Sequence, residues 1–416
     1  MQDLFTKKLE ALRTEALARH LREISSPQGP EVEVAGDRLI NFSSNDYLGL
    51  ANDATLRDAA ISAIKQFGVG AGASRLISGT QSPHVRLEHA LAKWKGTEAA
   101  LCFSSGYAAA VGTIPALVGR NDVVLLDKLC HASLIDGAKL SGAILRVFPH
   151  NDCRKLGSHL EWARRQYPGR RVLIVTESVF SMDGDLAPLP QIVQLKKDFG
   201  ALLMLDEAHA VGVIGQNGRG LAIQLDVNDE VDVQMGTLSK ALGTSGGYIC
   251  ASGDLIEWLI NRARSFIYST APPPATAAAA LAAVDFLASP QCEERRLLLW
   301  DRINLLRELL LQLDVGRLNG ASKRTTLNVQ RPTFNGESGS AIFPLIIGAN
   351  QSALDLATAL QQKGFLVPAI RYPTVAKGSA RLRITITSAH QEDHIRSLCE
   401  AITRNCCSQR PVVDQS

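Results

Sequence analysis

Between residues 98 and 250, short apolar runs alternate with helical stretches: "AALCF" (99–103), "DVVLLD" (122–127), "RVLIVTES" (171–178), "ALLMLDE" (201–207), "DVQMGT" (232–237) and "GGYIC" (246–250). Runs this short and this uniformly apolar suit strands buried on both faces, with helices above and below. The pattern predicts an α/β fold whose large domain holds a mainly parallel sheet sandwiched by helices. The proline cluster "STAPPPAT" (269–276) breaks the alternation and marks the exit from that domain. A leucine-rich helical stretch (about 294–313) then leads to strands such as "AIFPLII" (341–347) and "ARLRITIT" (380–387), the pattern of a smaller α+β C-terminal domain. The expected boundaries are 1–46 for an N-terminal helix and strand segment, 47–285 for the large domain, 286–403 for the small one and 404–416 for a flexible polar tail.

Composition narrows the class. The 416 residues are 46% hydrophobic and 20% charged with a net charge of +3, the balance of an ordinary globular protein and not of a nucleic-acid binder. The opening stretch, residues 1–23, reads as an amphipathic helix without a signal-peptide core. The run nearest to a membrane span, "ATAAAALAAVDFLA" (275–288), is interrupted by Asp285, so a packed helix is expected and no membrane partner. Eight cysteines without CxxC spacing, most in apolar contexts, predict reduced core residues and a cytoplasmic setting.

In open parallel sheets, ligands bind beyond the carboxyl ends of the strands. There the chain places Asp206 and Glu207 with His209 shortly after, then Glu177, Ser178 and Ser181. It also places Ser104-Ser105-Gly106 before an alanine-rich helix starting near Tyr107. A helix N-terminus with free amides is an anion site. The fifth run leads through "GTLS" to Lys240, the one cation in "VQMGTLSKALGTSGGYIC" (233–250), a stretch with no acid.

Three short patterns compete with this grouping. "DEAH" (206–209) spells a helicase box, yet the chain has no Gly-Lys pair for a phosphate loop. "GTSGG" (243–247) has nucleophile-elbow spacing around Ser245, but it precedes an apolar run instead of joining strand to helix. "HQEDH" (390–394) sets two histidines four apart with no third ligand. Its setting, read as a charged C-terminal helix, predicts a solvated face and no metal site.

An anion cradle, an acid and a lone lysine are what pyridoxal 5'-phosphate (PLP) requires: amides for the phosphate, an amine for the aldehyde and a carboxylate that keeps the pyridine nitrogen protonated. A lysine in apolar surroundings beside other cations gives up its proton readily and becomes nucleophilic.

From "NFSSNDYLGL" (41–50) to "ARLRITITSAH" (380–390), the chain resembles the α-oxoamine synthases, fold-type I PLP enzymes. The resemblance rests on "GAGASRLISGTQSPHVRLE" (70–88), "FSSGYAAA" (103–110), "CHASLIDG" (130–137), "TESVFSMDGDLAPL" (176–189), "DEAHAVGVIGQNGRG" (206–220) and "GTLSKALGTSGGY" (236–248). It implies that Lys240 is the Schiff-base lysine, Asp206 the partner of the ring nitrogen, and His209 the partner of the phenolic oxygen with Ser181 nearby. By the same resemblance His131 stacks on the ring and meets the substrate carboxylate, Gly106, Tyr107 and Thr237 bind cofactor, and Thr270 reaches a neighbouring subunit's phosphate. Arg22, Asn45, Thr374 and Arg383 match substrate contacts, Arg383 as the carboxylate clamp, although Arg381 shares its strand face.

"NFSSNDYLGL" and "RYPTVAKGSARLRITIT" (371–387) look most like the branch that condenses L-alanine with pimeloyl-CoA, or a pimeloyl-carrier protein, into 8-amino-7-oxononanoate, CO2 and CoA for biotin synthesis. A homodimer with active sites at the subunit boundary is implied. Arg75 in "ASRLISGT" also fits relatives using glycine and short acyl-CoA, and Cys130 stands where a small polar residue is expected. Sister activities therefore stay open: 2-amino-3-ketobutyrate CoA ligase, 5-aminolevulinate synthase, serine palmitoyltransferase or a signal-molecule synthase. A PLP aminotransferase on the same fold is the more distant alternative.

Overall fold

The computed structural model describes residues 2–312 and 339–407. The chain forms two compact units, one of Met1–Asn45, Met182–Gly184 and Leu297–Ser416, the other of Asp46–Ser181 and Asp185–Arg296. In the first, an N-terminal helix (Gln2–Thr14) precedes strands β1 (Glu31–Val34) and β2 (Asp37–Asn41), an antiparallel hairpin. Its two turn residues, Ala35 and Gly36, both take positive φ (52° and 88°), the backbone that matches the twist of paired strands.

The second unit carries a seven-stranded sheet of β3 (Ala99–Phe103), β4 (Val123–Asp127), β5 (Ile144–Phe148), β6 (Val172–Glu177), β7 (Leu202–Asp206), β8 (Val233–Thr237) and β9 (Gly247–Ala251). Their spatial order is β3-β9-β8-β7-β6-β4-β5, parallel throughout except that β9 runs against both neighbours. Strands β4, β8 and β9 are buried at every position, which is why their sequences are continuous apolar runs without alternation. Helix Gly106–Leu117 packs on this sheet through Ala109, Ala110, Ile114 and Leu117, against Leu101, Phe103, Met235 and Ile249. The alanine-rich segment forms helix Pro274–Leu287, packed on helices Ala54–Phe67 and Ser82–Lys95. Alanine's small side chain allows that close approach.

Edge strand β5 was not among the expected strands. Its "ILRVF" is only partly buried and is interrupted by Arg146, whose guanidinium lies 3.5 Å from the centre of the Trp162 ring. An apolar stem under an aromatic contact hides a charge that sequence reads as a break.

Helix Pro290–Gln312 leads the chain back into the first unit. There β10 (Ile342–Gly348), β12 (Ala369–Ile370) and β13 (Ala380–Thr385) form an antiparallel sheet in the order β10-β13-β12. The short β11 (Phe365–Leu366) adds to β2. Among the described residues no helix is long and apolar enough to cross a membrane. The expected tail at 404–416 lies mostly outside the described residues, and helix Glu392–Cys407 reaches into its start.

The pair in "HQEDH" departs from expectation. His390 precedes the helix that begins at Glu392, so the four-residue spacing does not set both rings on one helical face. His390 is buried, stacks on Phe42 at 4.4 Å and accepts the Thr387 amide N–H at Nδ1 (3.0 Å). Burial presses its pKa down to about 4. It is a neutral core histidine, not part of a solvated face.

Candidate active site

Parallel strands β3, β4, β6, β7 and β8 end at one edge of the large sheet, and the antiparallel β9 begins there. Beyond β3, Ser105 caps helix Gly106–Leu117 by accepting the Ala108 N–H (3.0 Å). The amides of Gly106 and Tyr107 precede the first carbonyl that the helix offers them. Thr237, the last residue of β8, is adjacent: its Oγ1 would lie 3.7 Å from a Cβ placed on Gly106. Gly247, opposite both Phe103 and Thr237, permits this closeness. A Cβ there would stand 2.6 Å from the Cα and N of Gly106. The result is a helix N-terminus set next to the Thr237 hydroxyl, which itself donates to the Gly246 carbonyl (2.9 Å); a helix N-terminus of this kind suits a phosphate.

Lys240 follows β8 in a tight turn closed by the Gly243 N–H to Lys240 carbonyl bond (2.8 Å). Sequence suggested an amine short of partners. Instead, half-buried Lys240 has its Nζ 3.0 Å from His209 Nε2 and lies within the field of two acids. Those acids come from neighbouring strands, which a window of local sequence does not include. Asp206 ends β7 buried, accepting the Ala208 N–H (2.9 Å). Burial holds its carboxyl above the usual range, and the Lys240 charge works against that rise.

Glu177 ends β6 directly opposite Asp206 in the register and is equally buried. Burial, then the charge of Asp206, pushes its pKa up to about 8, although it accepts the backbone N–H groups of His131 and Ser181. It was noted at a strand end in the sequence but not assigned to the site. Tyr47 was missed altogether. It is buried in the "NDYLGL" motif with its hydroxyl 2.5 Å from His209 Nδ1. The chain Tyr47–His209–Lys240 therefore fixes the imidazole from both sides.

His131 caps helix Ala132–Leu140, accepting the Ser133 N–H at Nδ1 (3.2 Å). Although open to solvent, its ring lies among enough protein atoms that loss of water lowers its pKa, ahead of the effects of Asp206 and Lys240. It is neutral, with Nδ1 an acceptor and the proton on Nε2. Ser181 is buried beside Glu177. Tyr107 is half exposed and donates to Asp136 (2.8 Å). Thr270 is exposed at a backbone bridge to Ser74.

The four expected substrate contacts lie in the other unit. Arg383, on β13, donates from Nη1 to Asn45 Oδ1 (3.1 Å) and Thr385 Oγ1 (2.9 Å). Arg381 is ion-paired with Asp183 at 2.7 Å and bonded to the Met182 carbonyl. Arg381 is thus paired with a carboxylate of its own unit, while the contacts of Arg383 include an amide and a hydroxyl. Thr374 accepts from Arg19 (3.3 Å). Arg22 lines a cleft of about 510 Å³ with His20, Glu23 and Gln361.

The Glu177 proton has a consequence for stability. An acid whose folded pKa stands above its unfolded value binds more protons when folded, so stability declines as pH rises from about 4.5 to about 8. Glu177→Gln keeps an acceptor for the His131 N–H but carries no titrating proton. The variant should therefore gain stability relative to the parent across that window, measured by urea unfolding at a series of pH values. Parallel pH profiles would contradict the assignment.

Comparison with known proteins shows the family. A family model described as aminotransferase class I and II matches residues 37–402. The 8-amino-7-oxononanoate synthase of Geobacter sulfurreducens is 46% identical over 95% of this chain and 96% of its own. That of Thermoanaerobacter pseudethanolicus is 40% identical over 97% and 96%. Among solved structures, serine palmitoyltransferase from S. paucimobilis with bound PLP–myriocin aldimine superposes with a TM-score of 0.87 at 28% identity, covering 97% of this chain and 96% of that one. The 8-amino-7-oxononanoate synthase of Francisella tularensis gives 0.71 at 29% identity, covering 88% and 97%. The chain belongs to the aminotransferase class I and II family and, within it, to the α-oxoamine synthases that its motifs resemble.

Proposed function

We propose that this protein is a PLP-dependent acyltransferase that condenses L-alanine with pimeloyl-CoA, or the pimeloyl-carrier protein, to give 8-amino-7-oxononanoate, CO2 and CoA, a step of biotin biosynthesis. The observation that carries the reading is a buried acid in the field of a half-buried lysine, on the sheet edge that also holds the helix N-terminus at Gly106, in a chain 46% identical to an 8-amino-7-oxononanoate synthase. Serine palmitoyltransferase has the higher TM-score but only 28% identity. Shared fold carries less weight for substrate choice than near-full-length identity.

The residues fit PLP. Asp206, held above its usual range by burial, regains a favourable charge state against a protonated ring nitrogen. The Gly106 and Tyr107 amides with Thr237 would hold the phosphate, His209 would bond the phenolic oxygen with Ser181 nearby, and His131 would cover the ring. When bound, PLP supplies an aldehyde for the substrate amine and a ring that withdraws electrons from Cα. Lys240 Nζ takes the Cα proton of alanine. Arg383 pairs with the amino-acid carboxylate, a bidentate match of fork and anion, with Arg22, Asn45 and Thr374 as further substrate contacts. After C–C bond formation and loss of CO2, His131 returns a proton from Nε2. The protein works as a cytoplasmic homodimer, Thr270 reaching the partner's phosphate; exposed Tyr268 and Ile77 near that segment support a covered face.

CoA release tests the reaction: L-alanine with pimeloyl-CoA should outpace glycine, L-serine and shorter or longer acyl-CoAs. Faster release with L-serine and a long-chain acyl-CoA would favour a sphingolipid-type synthase, and turnover of alanine with a keto acid and no thioester would favour an aminotransferase. Arg383→Ala should raise the KM for alanine by about 100-fold, with cofactor affinity unchanged in an absorbance titration. An equal loss of both would refute the clamp.

A further inference from the structure

Just past β5, on the same edge of the large sheet, His150 stands between two buried acids. Its Nδ1 is 3.0 Å from Asp127 Oδ1 and its Nε2 2.6 Å from Asp185 Oδ2. Asp127 is the last residue of β4, and its carboxylate also accepts the N–H groups of Leu129 and Asn151, each at 2.8 Å. Together with the Cys130 N–H to Asp127 carbonyl bond (3.2 Å), these contacts shape the turn that ends at His131.

Asp185 belongs to a different segment. The loop from Ser178 to Ala187 is closed by the Val179–Leu186 bridge and by the Phe180 N–H to Asp185 carbonyl bond (3.0 Å). Ser181 sits on that loop. Asn151 Nδ2 donates to Asp185 Oδ2 and to the Leu186 carbonyl, each at 3.1 Å. The edge of the His150 ring meets Phe180 at 4.4 Å and 86°.

We propose that His150 is a positioning residue, whose imidazole bridges Asp127 and Asp185 and so locks the turn that delivers His131 to the loop that carries Ser181. The inference rests on the roles given to His131 and Ser181 above. Its physical basis is charge. A protonated ring carries an N–H on each nitrogen and can donate to both buried carboxylates at once. Burial disfavours the charged ring, but the hydrogen bonds and charges of Asp127 and Asp185 overcome it and bring its pKa up to about 10. The Cys153 thiol, raised by burial and by Asp152 and Asp127, stays neutral and leaves the bridge to the two acids. A neutral ring has one N–H and can donate to only one of them.

The experiment is a double-mutant cycle in the holoenzyme with His150→Gln and Asp185→Asn, singly and together. It reads kcat and KM for the amino acid, the visible absorbance of bound cofactor, and exchange of the alanine Cα proton in D2O without thioester. His150→Gln should lower kcat and proton exchange by about 10–100-fold, the scale of a roughly 1 Å misplacement, at full cofactor absorbance. The double variant should be no slower than the slower single. Wild-type rates in His150→Gln, multiplying losses in the double variant, or losses that track missing cofactor would each overturn the proposal. If His150→Gln does not fold, Asp185→Asn alone decides, a wild-type kcat at full absorbance counting against the bridge. A wild-type enzyme that exchanges the proton but releases no CoA would sink the acyl-transfer reading and leave this test intact.

Discussion

Two carboxylates on adjacent strands, Glu177 and Asp206, face one another in register where almost no water reaches. Such a pair cannot hold two negative charges unless protons or cations are supplied. The protein supplies both. Glu177 keeps a proton into the neutral range and accepts two backbone N–H groups, while Lys240 lends its charge to both acids. Asp206 stays buried beside it, its carboxyl raised by burial and brought back down in part by the Lys240 charge. In the proposed reading, a protonated ring nitrogen would supply the further positive charge. Electron withdrawal from a substrate carbon would then draw on charges the protein already holds in place.

The sheet makes the arrangement possible. Because β3, β4, β6, β7 and β8 run the same way, residues far apart in the chain finish at a common edge: Ser105 and Gly106 past β3, Asp127 on β4, Glu177 on β6, Asp206 on β7 and Thr237 on β8. The reversed β9 brings Gly247 to that edge from the other direction and lets backbone press on backbone at the helix N-terminus. His150, one residue beyond Pro149 after β5, joins the same edge and connects two of its turns. The apolar core fixes strand order; strand order fixes which polar ends meet.

Much of this was legible in sequence for one reason: buried parallel strands write themselves as continuous apolar runs, and the first polar residue after each run marks the ligand edge. Lys240, Asp206, His209 and the Ser105-Gly106 turn were found that way. What stayed hidden depends on pairing across the chain. Glu177 carries the same strand-end signal as Asp206, but its weight comes from facing Asp206, which only register shows. Tyr47 and His150 are bonded to partners 162 and 35 residues away. Arg381 is paired with Asp183, which arrives from a separate loop. His390 misled because helical spacing was assumed across a helix start.

The account stands or falls on a covalent link between Lys240 and PLP beside Asp206. Reduction of the native protein with borohydride, followed by digestion and mass spectrometry, should place a single pyridoxyl group on the peptide containing Lys240. A tag on another lysine, or none, would contradict it.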